Sequence, residues 1–198
     1  MIKGQILEGS TFGKKINEVI QQYRPVNIVE IGTWKGLGST LCIIKSMIEN
    51  QLDTSSFISV ESNLSFYNEA KHNLQDFSKY VQLIHGRLVD IPEMISFCNE
   101  RKSNVNNNWL VEDLYNMSTN NNIFNQIPNE IDFLLLDGGE YSTYLEWKKL
   151  KGRTSIVALD DVIEMKTREI NKELDNDSGY EQIILSNDRN GFAIYRKK

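Results

Sequence analysis

Asn27-Ile-Val-Glu-Ile-Gly-Thr-Trp-Lys-Gly-Leu-Gly-Ser-Thr40 reads as a buried strand, a glycine-rich turn and the opening of a helix. The run from Asn27 to Ile31 is apolar except for Glu30; Gly32, Gly36 and Gly38 follow it before a helical segment begins at Ser39. Glycine has no Cβ, so a ligand can approach the backbone of such a turn closely. Glu30 adds negative charge at its mouth. A ligand carrying positive charge and hydroxyls suits that mouth better than a bare pyrophosphate.

Outward from the turn, strands and helices alternate. Thr11 to Tyr23 puts Phe12, Ile16, Val19 and Ile20 on one helical face, and Pro25 ends it. A helix from Ser39 to Asn50, with Leu41, Ile44 and Ile48 inward, leads to a strand at Phe57–Val60, a helix at Leu64–Phe77 and a strand at Val81–Ile84. Ile131–Leu136 is the continuous apolar run of a strand covered on both faces. A helix at Ser142–Leu150, a strand at Ser155–Leu159 and a helix at Met165–Leu174 follow. Glu181–Leu185 and Phe192–Arg196 then flank a hairpin turn at Ser186–Gly191. This order predicts an α/β fold: a doubly wound, mostly parallel seven-stranded sheet with an antiparallel C-terminal hairpin strand.

The 198 residues fit one domain, with residues 1–25 as a helical cap. That first helix is expected either to cap the site or to make a homodimer contact. Residues 99–129 break the rhythm: they are rich in asparagine around an apolar island at Trp109–Val111 and Leu114–Tyr115, and read as a surface insertion with one short helix or as a substrate lid. A net charge of −5 argues against a nucleic-acid partner. No run approaches the ~20 apolar residues of a membrane span. Cys42 and Cys98 lie far apart and outside any CxxC pair, so both are expected as core thiols of a cytoplasmic protein.

In open parallel sheets, ligands bind beyond the carboxyl ends of the strands. Those ends carry Gly32, Gly36 and Gly38; Glu61, Ser62 and Asn63; Gly86 and Arg87; Asp137, Gly138, Gly139 and Glu140; and Asp160 with Asp161. An acid such as Glu61 can accept both hydroxyls of a ribose. The glycine turn and these two acids resemble motifs I and II of the class I S-adenosylmethionine-dependent methyltransferases, a resemblance that spans nearly the whole chain after the first helix. It implies a Rossmann-like methyltransferase fold with S-adenosylmethionine as cofactor. Glu61 would hold the ribose, and Glu30 would lie near the amino-acid part. Gly32, Trp34, Gly36, Gly38, Ser39, Ser62, Gly86, Arg87 and Asp137 would contribute further contacts. Arg87 stands where the family often has an acid or a small polar residue. Trp34 reads equally as a cover for the cofactor and as a packing residue.

Asp132-Phe-Leu-Leu-Leu-Asp-Gly-Gly-Glu-Tyr-Ser-Thr-Tyr144 sets Asp137 just past a buried strand. With Asp160 and Asp161 it resembles the acid set of the metal-dependent small-molecule O-methyltransferases, which implies Mg²⁺ or another divalent cation. Acids at these places also occur without metal. Without one, Asp137 or Glu140 is the expected base for a hydroxyl acceptor; the family often has histidine near position 140. The acceptor would be a small molecule or glycan precursor. Two other functions stay open. A nicotinamide-dependent oxidoreductase would want G-x-G-x-x-G, whereas this turn is G-x-x-x-G-x-G. A non-catalytic cofactor-binding protein would not need Asp160 and Asp161 beside Asp137. His72 is expected to be exposed, His85 to border the adenine pocket, and Trp147 and Leu150 to pack in the core.

Overall fold

A computed structural model describes residues 6–101 and 105–198. The elements run α1 (Thr11–Tyr23), β1 (Asn27–Ile31), α2 (Ser39–Glu49), β2 (Ser56–Glu61), α3 (Leu64–Asn73), β3 (Gln82–His85), α4 (Ile91–Glu100) and α5 (Asn107–Ser118). They continue with β4 (Ile131–Leu136), α6 (Thr143–Leu150), β5 (Thr154–Asp160), α7 (Met165–Asp175), β6 (Tyr180–Ser186) and β7 (Phe192–Lys197). The seven strands form one sheet in the order β3-β2-β1-β4-β5-β7-β6. β1 to β5 are parallel, and β7 runs antiparallel to both β5 and β6. The expected doubly wound sheet with its antiparallel C-terminal strand is therefore present.

Successive side chains of a strand point to opposite faces. Phe133 and Leu135 accordingly join Phe12, Ile16, Ile43 and Met47 under α1 and α2, while Leu134 and Leu136 join Trp147, Leu150, Ile170 and Leu174 under α6 and α7. Trp147 and Leu150 are core residues, as expected. Both cysteines are buried free thiols. At the amino edge, Asp132 Oδ2 accepts from the Val26 and Asn27 N–H groups at 2.9 and 2.8 Å, which fixes the start of β1 against β4.

Two elements depart from the sequence reading. The helix expected to reach Phe77 stops at Asn73, and a single tight turn follows at Gln75–Phe77. α4 was not foreseen; Asp90 precedes it, Pro92 lies in its first turn, and Met94 and Cys98 form its buried stripe. α4 and α5 enclose a third small core of Val89, Met94, Cys98, Met117 and Tyr141. The region read as an insertion is thus largely folded, although residues 102–104 within it, like residues 1–5 of the N-terminal cap, lie outside the described residues. No helix among the described residues is long and apolar enough to cross a membrane.

Candidate functional site

A cleft of about 270 Å³ opens at the carboxyl edge of β1, β2 and β4. Its floor is the first turn. Gly32 has φ +100°, and a Cβ there would strike the Asp137 carbonyl, so only glycine lets the ends of β1 and β4 close together. Trp34 also takes a left-handed backbone, with φ 49°. Its N–H thereby points at Glu61 Oε2, 2.7 Å away, while Asn63 N–H donates to Oε1 at 2.8 Å. Glu61 thus knits two strand-end turns together. Each of its oxygens keeps a second lone pair. Burial pushes Glu61 up to about 7, against the pull of backbone N–H groups of Asn63, Trp34 and Ser62. The Trp34 ring meets Phe66 edge-on at 6.2 Å.

The walls come from the turn after β3, from α5 and from the segment after β4: Gly86; Trp109, Glu112, Asp113 and Asn116; Gly138, Gly139, Glu140, Ser142 and Glu146. With Glu61 and Asp137, six carboxyl groups line the cleft, and no lysine, arginine or histidine does among the described residues. Of the wall acids, Glu146 is buried and Asp113 half-buried. Burial raises Asp113 to about 6 and Glu146 to about 8. Glu146 Oε2 has no hydrogen-bond partner among the described residues.

α5 is fastened at both ends. Near its start, Asn106 N–H donates to the Tyr141 hydroxyl at 2.7 Å, and Asp113 Oδ2 accepts from Tyr141 N–H at 3.2 Å. At its end, Arg87 Nη1 donates to the Met117 carbonyl at 3.0 Å and to Asn120. Asn63 reaches Asn116 at 3.1 Å, and Asn120 reaches the Ser62 carbonyl at 2.9 Å. A guanidinium on the last carbonyls of a helix also complements the helix dipole.

Of the residues predicted for the site, Gly32, Trp34, Glu61, Ser62, Gly86, Asp137 and Glu140 line the cleft; Glu30, Gly36, Gly38, Ser39, Arg87, Asp160 and Asp161 do not. Glu30 lies fully buried beneath the turn, accepting from Thr40 Oγ1 at 2.6 Å and Ser59 Oγ at 2.5 Å. Burial raises its carboxyl. Gly36 faces Leu74 and Ala70 of the α3 region, where a Cβ would not fit. Gly38 is the N-cap of α2, Ser39 is buried in that helix's first turn, and Arg87 turns to α5. His85 Nε2 lies 3.1 Å from the Ser62 carbonyl and does not line the cleft, and His72 is exposed on α3.

Asp137, Asp160 and Asp161 do converge, with ligand oxygens within 4.8 Å of one another. Two cations already engage them. Lys166 Nζ is 2.5 Å from Asp137 Oδ1 and 2.8 Å from Asp161 Oδ2. Arg189 Nη2 is 3.1 Å from Asp160 Oδ2. Burial raises the Asp137 carboxyl against the opposing pull of Lys166, and Asp160 is pushed up to about 6 by burial and by Asp137 and Asp161. As the chain stands, the triad is closed by protein cations and does not present three free carboxylates to a metal.

The sequence reading named Trp109 only within the apolar island of residues 99–129, and missed Glu112, Asp113, Asn116, Glu146, Lys166 and Arg189. The α5 residues sit in an asparagine-rich stretch read as an insertion with one short helix, whose bounds and inward face its sequence leaves open. Asn106, which accepts from Asn108 and Trp109 N–H, was the available sign of a helix start. Glu146, Lys166 and Arg189 carry no local signal, because a charged residue in a helix or hairpin turn is ordinarily solvated.

No family model matches this chain. It is similar to the 3-dehydroquinate synthases of Legionella pneumophila strains Paris and Philadelphia 1, 27% and 26% identical over 136 residues. Those matches cover 69% of this chain and 36% of theirs, so the chain spans about a third of the length of these curated relatives. Among solved structures it resembles a caffeoyl-CoA O-methyltransferase assigned in Staphylococcus aureus, with a TM-score of 0.65, 17% identity, and 96% of this chain and 84% of that one covered. It likewise resembles the O-methyltransferase of Bacillus cereus in complex with S-adenosylhomocysteine, with a TM-score of 0.63, 14% identity, and coverage of 96% and 82%. A third is TomG of Streptomyces achromogenes, with a TM-score of 0.62, 14% identity, and coverage of 94% and 79%. The fold is that of these enzymes.

Proposed function

We propose, from a fold shared with O-methyltransferases and a cleft lined, among the described residues, by six carboxyl groups and no cation, that this chain transfers a methyl group from S-adenosylmethionine to a hydroxyl of a small molecule or glycan precursor. The charge of the cleft carries the reading. A dinucleotide brings a pyrophosphate, which such a lining repels; a sulfonium with an ammonium group is attracted to it. Glu61 suits a ribose, since both of its oxygens retain acceptor capacity at the cleft. The backbone around Gly32 and Trp34, and that around Gly138 and Gly139, would lie along the rest of the cofactor. When bound, the cofactor supplies an electrophilic methyl carbon on a cationic sulfur.

The chain's own residues supply position and proton transfer. Glu140 lines the cleft and has no ion-pair partner among the described residues, and burial raises its carboxyl above its ordinary value, which makes it the better placed base for the acceptor hydroxyl. Asp137 is held by Lys166 and so is better suited to orienting the acceptor than to leaving its cation. α5 forms the acceptor-side wall, the lid role anticipated for residues 99–129, and half-exposed Trp109 offers a flat apolar face there. The residues predicted for a divalent metal do not fit one in this arrangement, and no step is assigned to it.

Calorimetric titration with S-adenosylmethionine, S-adenosylhomocysteine and NAD(H) tests the reading. The first two ligands should bind in the micromolar range, and Glu61→Ala should weaken them at least ~10-fold, as expected for loss of a charged hydrogen-bond acceptor. Binding of NAD(H) alone would overturn it.

A further inference from the structure

Lys166 stands where a divalent ion bridging these acids would have to sit. Its ammonium contacts Asp137 and Asp161 at 2.5 and 2.8 Å, and its side chain is only 12% exposed. Arg189 covers the third acid, 3.1 Å from Asp160 Oδ2 and 3.8 Å from Asp161 Oδ1. Mg²⁺ needs oxygens at about 2.1 Å and Ca²⁺ at about 2.3–2.6 Å, so an ion shared by Asp137 and Asp161 would have to take the ammonium's place. The two cations would also repel each other strongly at such a distance in a buried site.

The local fold holds this arrangement at a cost. Lys166 is the second residue of α7, an end of the helix whose dipole disfavours a cation. Asp161 takes a left-handed backbone, with φ 55°, directly after β5. Thr167 Oγ1 donates to the Asp160 carbonyl at 2.6 Å and to the Asp161 carbonyl at 3.0 Å, bolting the start of α7 to the strand end. An unfavourable helix position and an uncommon backbone conformation are both maintained, and together they deliver one ammonium between two acids from adjacent strands.

We propose that Lys166 is a built-in cation, permanently filling the three-carboxylate site in place of a divalent ion and acting as a positioning residue for Asp137 at the cleft edge. Cofactor binding and methyl transfer then proceed without metal. That consequence rests on the function proposed above; the occupancy of the site does not. The acceptor, correspondingly, need not be a vicinal diol able to chelate an ion.

The test is a Mn²⁺ titration of the full chain followed by electron paramagnetic resonance, with S-adenosylhomocysteine calorimetry on the same samples. The wild-type chain should leave Mn²⁺ free. Lys166→Met removes the charge but keeps the apolar stem; it should gain one Mn²⁺ per chain at least ~10-fold more tightly than wild type, and adding Asp160→Asn should abolish that gain. Lys166→Gln runs in parallel in case the methionine variant misfolds. Stoichiometric Mn²⁺ on the wild type, lost in Asp160→Asn, would overturn the proposal, and so would a folded Lys166 variant that gains none. Should the Mn²⁺ results come out as expected while S-adenosylhomocysteine fails to bind, the methyl-transfer reading falls and the built-in cation stands.

Discussion

Glu146 is buried, and the carboxyls of Asp113 and Glu61 add to the burial that raises it to about 8. It holds its proton more tightly folded than unfolded. Raising the pH from the ordinary carboxylate range through about 8 therefore withdraws stability, and the loss is complete above that value. Glu146→Gln keeps the shape and cannot ionise. It is expected to leave the melting temperature near pH 5 almost unchanged and to raise it at pH 8.5 by roughly 2–8 °C, a gain of about 1–2 kcal/mol; thermal melts at the two pH values decide this. Residues of this kind were not legible beforehand. Glu61 could be read from its place at a strand end, since topology alone aims it at the ligand edge. Glu146 and Lys166 owe their roles to neighbours far away in sequence, and nothing beside them in the chain announces it.

Among the elements, α5 has the most to lose from a single change. Arg87 grips the carbonyls at its C-terminal end, while Tyr141 and Asn63 hold it elsewhere. Arg87→Ala should leave the sheet intact but raise amide hydrogen exchange across residues 107–118, and should weaken S-adenosylhomocysteine several-fold, because Asp113 and Asn116 ride on that helix. Unchanged exchange there would show that the other tethers suffice. Strands β1, β4 and β5 are readable because their mostly apolar runs leave little choice. α4 is not, and of α5 only a short helix without bounds is, since their buried stripes face a small local core of five residues rather than the sheet, and the period is correspondingly faint.

For the molecule as a whole, the acidic cleft is a standing electrostatic load. Glu61 near 7, Asp113 near 6 and Glu146 near 8 are all raised above their ordinary values, chiefly by burial. The sign is common to the three, so the ligand-free protein should grow less stable as the pH rises from about 5 to about 8 and then level off. A cationic ligand should stabilise it more at pH 8 than at pH 6, which scanning calorimetry with and without S-adenosylmethionine would reveal. An equal shift at both pH values would mean that the ligand does not feel these groups.

The position of β7 has a consequence for how the chain is made. β7 lies between β5 and β6, and Ala193, Ile194 and Tyr195 are buried there. A nascent chain that has emerged only as far as Ser186 exposes the edge of β5 and carries β6 with no strand to pair with. Such an open apolar edge is a template for mispairing with another chain. Synthesis therefore passes through an interval in which most of the sheet exists and cannot close. During that interval the polypeptide depends on chaperones, or on the speed with which the ribosome delivers the next eleven residues.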